Sequence, residues 1–366
     1  MAEVGDVNTE SLNHTFTDKK LGAFTAIIEG DVVNTKPESG WISDYTVDKD
    51  KAVAILTPHM PQDEVLKPEQ LEQGETEVAF RNVVKAFVDH KVIDPQTAEL
   101  TGKLVRPSNI TLIDATYFRF LYMADEFPKS ASERGELEMG HLGYGRMTRN
   151  LVRKLESAGV ELRSEQMRGV VLRWIISHEY GHAVDAALQI QKAEEVGKSK
   201  PDEEKWKVKA DVDRHASQEL FTTIAPEPKL QEMFTIQDAR YAGLHDDALQ
   251  TSSERISTGF EYLGLRYALT DAGVAEDKID KVLDAFKEED QKSFQDLEHL
   301  FKVGKEKGMD IETLGVALNT LKLELRKTEK PELKKTLPLS FGSTYAGYFF
   351  PLSETQLKAY IASFKV

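Results

Sequence analysis

Residues 164–190 read SEQMRGVVLRWIISHEYGHAVDAALQI, and this stretch predicts one long α-helix. Ser164 is a favourable N-cap residue, and Glu165 places a carboxylate in the first turn, where it interacts favourably with the helix dipole. The apolar residues that follow recur at helical spacing: Met167, Val170, Val171, Trp174 and Ile175. The helix therefore has an apolar face that we expect to be buried.

The same helix carries the segment HEYGH, in which His178 and His182 flank Glu179. Residues four apart share one face of a helix, so both imidazoles point to the buried side, one turn apart. Glu179 follows about 100° further round the helix. Buried histidines need polar partners, which core packing does not supply. Two imidazoles on a metal and a carboxylate beside the activated water are what zinc-dependent hydrolysis requires, so the segment predicts a zinc site.

A zinc ion that keeps an open position for water needs a third protein ligand. The chain has no cysteine, and Leu188 occupies the position where a third histidine follows in one extended form of this motif. A downstream carboxylate remains. Residues 252–270 predict a second helix on which Glu254 and Glu261 share a stripe with small residues nearby, and small residues let another helix approach closely. At this point either glutamate could be the third ligand.

Asp185 lies three residues after His182, on the side of the helix that faces the metal. One interpretation is that its carboxylate accepts the second ring N–H of a ligand histidine, which is a common arrangement around zinc. The other is a solvated or capping aspartate. Whichever of Glu254 and Glu261 is not the third ligand is a further candidate to support a ligand histidine in this way.

Composition excludes several classes of partner. The 366 residues carry a net charge of −15, and the pI is near 5.2. An acidic surface repels phosphate backbones, so we expect no nucleic acid as a partner. No apolar run approaches the roughly 18 residues of a membrane span, and residues 1–20 lack the apolar region of a secretory signal. We expect a protein that is cytoplasmic, virion-associated or secreted by a route that needs no signal peptide.

The length allows two domains, or one large domain with appendages. Hydrophobic patterning along the chain predicts an α+β fold with a largely helical C-terminal half. The predicted segments are a flexible acidic arm (1–22), an α/β region (23–108), a catalytic domain (109–270) and a helical region (271–366).

Within these segments, patterning also predicts individual elements. The stretches 23–33, 52–57 and 109–123 are β-like, the last as one bent strand or two, and 125–145 is loop-like. The predicted helices, besides the two already described, cover residues 77–90, 147–159, 207–222, 273–288, 291–306 and 310–327, and a last one starts at Ser353.

The HEYGHAVD segment at residues 178–185 resembles the zincin metallopeptidases, in their HExxH…Glu (gluzincin) branch. It is close to the corresponding segment of the anthrax lethal factor catalytic domain. The segment Glu254-Arg255-Ile256-Ser257 is similar to the short Glu-x-x-small motif of that domain, whose glutamate is the ligand. Zincin domains predicted in bacteriophage structural proteins and bacterial toxins have a similar pair of motifs. The resemblance covers roughly residues 165–265.

This resemblance implies a zincin-like core, in which a small mixed sheet packs on the metal-site helix. It also implies zinc held by His178, His182 and Glu254, with Glu179 as general base. Two features depart from lethal factor. A second glutamate four residues after the ligand is replaced by Thr258, and the catalytic tyrosine seven residues before it is replaced by Asp247. The nearest tyrosine, Tyr241, is the candidate for the tyrosine's role.

The favoured function is a zinc metalloendopeptidase that acts on a protein or peptide substrate. The alternative is a phage virion or effector protein in which a degenerate zincin domain serves as a scaffold. Glu179 favours the enzyme, because a scaffold that only binds metal has no need of that carboxylate. The flanks outside residues 165–265 favour binding to a large partner as part of either function.

Overall fold

The structure is a computed structural model, and it describes residues 26–30, 32, 48–56, 71–113, 118–122, 126–197 and 248–309. Contacts divide the chain into two compact units. One comprises Leu66–Lys287 with Ala362–Val366, and the other Met1–Val65 with Glu288–Ile361. Both segments of sequence that resemble zincins fall in the first, larger unit. The domain boundaries expected at residues 22, 108 and 270 stay predictions.

In the smaller unit, residues 26–29 are helical and helix α1 covers Lys49–Leu56. The β-strand prediction for 23–33 and 52–57 is therefore wrong wherever these stretches are described. Ile27, Ile28 and Ala52 are all buried. A short apolar run is buried equally well as a strand or as a turn or two of helix, so its pattern does not distinguish them.

The larger unit is built mainly from helices. The helix predicted over 164–190 begins where expected and ends seven residues later, and the one predicted over 252–270 begins four residues earlier and ends one residue later. The helix expected over 77–90 is confirmed, and the one expected over 147–159 begins six residues earlier. The bounds are α2 (Gln73–Asp89), α3 (Pro95–Leu104), α4 (His141–Ser157), α5 (Ser164–Gly197) and α6 (Ala248–Asp271). Gly159, which follows the end of α4, has φ of +67°, a left-handed conformation that favours glycine after a helix.

Helix α7 (Glu276–Glu306) replaces two predicted helices, 273–288 and 291–306. The intervening residues Glu288–Gln291 are polar but include neither glycine nor proline. Polar residues do not by themselves end a helix, so a single helix continues through this segment. The helices predicted over 207–222, over 310–327 and from Ser353 lie outside the described residues.

A three-stranded mixed sheet confirms the predicted α+β class. Its strands are β1 (Ile110–Ile113), β2 (Phe118–Leu121) and β3 (Glu136–Gly140), in the order β1-β3-β2. β1 runs parallel to β3 and β2 runs antiparallel to it. The β-like stretch 109–123 is thus two strands, as one of the two predicted alternatives had it.

The loop expected over 125–145 is wrong for β3 and for the start of α4. In β3, Leu137 and Met139 are fully buried and alternate with Glu136 and Glu138. Both glutamates have a partner on a neighbouring strand: Glu136 accepts a hydrogen bond from Thr111, and Glu138 forms an ion pair with Arg119. Acidic residues lower the β-propensity of the sequence, but cross-strand partners compensate for them in the sheet.

Helices α5 and α6 form the centre of the larger unit and run antiparallel. Ser177 of α5 faces Gly264 of α6, and one turn further along α5 Gly181 faces Ser257. An ideal Cβ on Gly181 would lie 2.7 Å from the Cα of Ser257, and one on Gly264 would lie 1.9 Å from Ser177 Oγ. Small residues thus bring the two backbones together; on α6 the sequence predicted this at Ser257 but not at Gly264.

Tyr180, at the centre of the HEYGH segment, anchors α5 in the hydrophobic core. Its ring lies edge-on to Phe80 at 5.5 Å between centroids and stacks on Phe87 at 6.2 Å. Burial raises the pKa of its phenol far above the ordinary value. Because Tyr180 is fixed in the core, the rotation of α5 about its axis is fixed as well, and with it the direction of His178 and Glu179.

Replacing Gly181 with alanine should destabilise the fold by about 1–3 kcal/mol, because the new methyl group meets the backbone of α6, which cannot move aside locally. The measurement is the free energy of unfolding from urea titration. Gly169→Ala on the same helix is the matched control, since a Cβ there meets nothing within 4 Å. It should be neutral or stabilising by up to about 1 kcal/mol. Equal effects of the two substitutions would contradict the close approach.

Candidate metal centre

Helix α5 places the two histidines of the motif side by side, as their spacing predicts. The ring centroids of His178 and His182 lie 5.0 Å apart, with the ring planes at 75°. Both residues are half-buried, so their rings are partly exposed to solvent. A pair of imidazoles with this arrangement is able to approach one metal ion from neighbouring turns of a helix.

Glu179 lies beside this pair and is 6% exposed. A carboxylate in such a position is costly unless it has polar partners or a role in chemistry. Its burial separates it from the exposed carboxylates of the same helix, such as Glu165 and Glu194. A base held out of bulk water next to two imidazoles suits proton transfer from an activated water molecule.

Helix α6 delivers Glu261 to the first histidine. Glu261 Oε2 lies 2.9 Å from His178 Nδ1, and the two side chains are 24% and 23% exposed. The structure therefore places the side chain of Glu261, one of the two glutamates proposed from the sequence, at a motif histidine.

Glu254 belongs to the described backbone of α6, seven residues before Glu261. Seven residues are close to two helical turns, so both positions share one face of α6. The side chain of Glu254 lies outside the described residues, as do the whole of Tyr241 and Asp247. The assignment of Glu254 as a ligand and of Tyr241 as a catalytic group stays a prediction.

Asp185 is 2% exposed, so the interpretation as a solvated aspartate is wrong. Its Oδ2 accepts a hydrogen bond from Gln189 Nε2 at 2.8 Å. A buried carboxylate one turn beyond His182 fits the interpretation as a supporting hydrogen-bond acceptor.

The donor chemistry fits zinc, because imidazole nitrogens and carboxylate oxygens are ligands that zinc accepts, and the chain offers no thiolate. Within the described side chains, no group of three or more histidine, aspartate or glutamate residues is placed to hold a metal ion. Two ligand positions, His178 and His182, thus lie together. The third proposed one, Glu254, has a side chain that falls outside this search.

Comparison with protein-family models, with curated proteins and with solved structures finds no match to the chain. In the part of the chain that the structure describes, no helix is long and apolar enough to cross a membrane. The functional assignment is therefore based on the residues and their geometry.

Sequence reasoning missed one feature that positions the site. The contact between Ser177 and Gly264 adjoins the pair His178 and Glu261, and it sets how closely α6 passes the motif. A signal for it exists in the sequence. Ser177 and Gly181 are four residues apart on α5, and Ser257 and Gly264 are seven apart on α6. At these spacings the two small residues of each helix lie on one face of it.

Proposed function

We propose that the chain is a zinc-dependent metalloendopeptidase that hydrolyses peptide bonds in a protein or peptide substrate. The observation that carries the proposal is the HEYGH segment on α5. It has two half-buried imidazoles, with ring centroids 5.0 Å apart, and a buried glutamate between them in sequence. The zincin-like core is part of the same proposal, and it is supported by the small mixed sheet, whose strand β2 contacts α5.

His178, His182 and Glu254 are the residues that would hold zinc. Zinc bound there would lower the pKa of a water molecule and polarise the scissile carbonyl. Glu179 accepts the proton of the attacking water and then delivers it to the amine that leaves, so that water is divided between the two products. Tyr241 is the candidate donor to the oxyanion that develops on the carbonyl oxygen.

Two properties of the described residues support this division of roles. Histidines on one rigid helix of 34 residues keep their spacing without help from a loop, which favours a preformed site. Glu179 is next to His178 in sequence but is buried, so its carboxylate is shielded from bulk water, while the imidazoles of His178 and His182 are only half-buried. Electrostatic interactions are stronger in such a shielded position.

The test is zinc-dependent hydrolysis by the purified chain. We expect about one zinc per chain by elemental analysis and cleavage of an unfolded protein substrate. A chelator should abolish cleavage, and added zinc should restore it. Magnesium or calcium at the same concentration is the control, because these ions prefer sites made only of oxygen ligands. A metal-free chain that cleaves at the full rate would overturn the proposal.

A further inference from the structure

The contact between His178 Nδ1 and Glu261 Oε2 determines where the proton of a neutral imidazole lies. The two atoms are 2.9 Å apart, which is hydrogen-bond distance. An ionised carboxylate has no proton to donate, so the histidine must donate from Nδ1. In a neutral imidazole only one nitrogen carries a proton, and the lone pair then lies on Nε2.

The backbone on both sides holds this contact in place. Ser177 directly precedes His178, and Gly264 comes one turn after Glu261; these two flanking residues are in close contact. On the next turn of α5, Gly181 meets Ser257. Helix packing therefore holds in register the two backbone segments from which the imidazole and the carboxylate extend, so the two side chains meet without any rearrangement of the helices.

We propose that Glu261 is a positioning residue, which keeps the proton of His178 on Nδ1 and so presents Nε2 to the zinc ion. This inference rests on the proposed function, because it assigns His178 as a ligand. Glu261 then has a role distinct from that of Glu254. Glu254 would bind zinc directly, whereas Glu261 orients His178, a ligand on α5.

A second ion pair between the same two helices provides a matched control. Arg173 of α5 and Asp271 of α6 pair at 2.7 Å, in the same antiparallel contact and away from the histidines. Removing the Asp271 carboxylate tests what the loss of a bond between α5 and α6 does by itself. A role of Glu261 that is only structural would give the same result as Asp271→Asn.

The first measurement is the tautomer of His178 in the zinc-free protein at pH 8, from nitrogen chemical shifts of labelled histidine. We expect the Nδ1–H form in the wild type and in Asp271→Asn. In Glu261→Ala the Nδ1–H form should lose its dominance. Glu261→Gln, which keeps an oxygen acceptor and nearly the same shape, should retain the form in part. An unchanged tautomer in Glu261→Ala would overturn the proposal.

The second measurement is zinc affinity by competition with a chelator. Glu261→Ala should weaken binding by roughly 10- to 100-fold and Glu261→Gln by less, while Asp271→Asn leaves it unchanged. Loss of zinc as complete as in His178→Ala would show that Glu261 is itself a ligand, and an unchanged affinity would show that it has no role. Absence of zinc binding in the wild type would sink the proposed function, whereas the tautomer is decided independently in the zinc-free chain.

Discussion

Replacement of Glu179 by glutamine should leave the zinc content and the fold unchanged and lower kcat on the order of 10²- to 10⁴-fold. The glutamine amide has nearly the same shape as the carboxylate but cannot accept a proton from water, so the general base is lost while the proposed ligands remain. KM should change little, because the carboxylate acts on water and not on the substrate. Steady-state kinetics on a fluorogenic peptide, with zinc analysis of the same preparation, gives both quantities.

The control for this substitution is Glu194→Gln, which makes the same change on an exposed carboxylate of the same helix. It should have wild-type kcat. Because Glu179 is buried, its substitution also needs an unfolding curve, and a midpoint near that of the wild type would show that the loss is chemical. An active Glu179→Gln variant would indicate a different base or a contaminating protease.

Apolar patterns that repeat over more than two helical turns predicted the central helices correctly. Single short apolar runs did not predict the secondary structure of their segments. The apolar stripe from Met167 to Ile175 repeats over more than two turns, and only a helix buries it on one side, which is why α5 appears where expected. Residues 52–57 offer a single apolar run with no such repetition, and residues 52–56 belong to helix α1. The sequence does contain a start signal for helix α3, which was not predicted: Asp94 caps the helix, and Pro95 occupies its first turn.

The site was predicted to the extent that it lies within one helix. The separation of His178 from His182, and the proximity of Glu179, follow from helix geometry alone and need no knowledge of the tertiary fold. The partner on α6 depends on the register of two helices 83 residues apart in sequence, which is the separation of His178 and Glu261. That register is fixed by which small residues meet, and a list of small residues allows several alternatives.

Zinc binding should be lost in both His178→Ala and His182→Ala, strongly weakened in Glu254→Ala, and weakened only partly in Glu261→Ala. The reason is the coordination of zinc. Each histidine supplies one of three protein bonds, and the two bonds that would remain cannot hold the ion against a chelator. His299→Ala is the matched control, because His299 is exposed and lies on α7. Elemental analysis after dialysis against a weak chelator measures all five variants together.

The same experiment distinguishes between Glu254 and Glu261 as the third zinc ligand. Zinc with an open position needs one more protein ligand, the chain has no thiolate, and the third-histidine position is Leu188. Glu261 is engaged by its hydrogen bond to His178, and Glu254 lies on the same face of α6 two turns away, in the segment that resembles the gluzincin motif. Glu254→Ala should therefore weaken zinc binding more than Glu261→Ala does. The reverse order, or a zinc-bound structure with Glu261, Asp185 or His245 at about 2 Å from the metal and Glu254 turned away, would overturn the assignment.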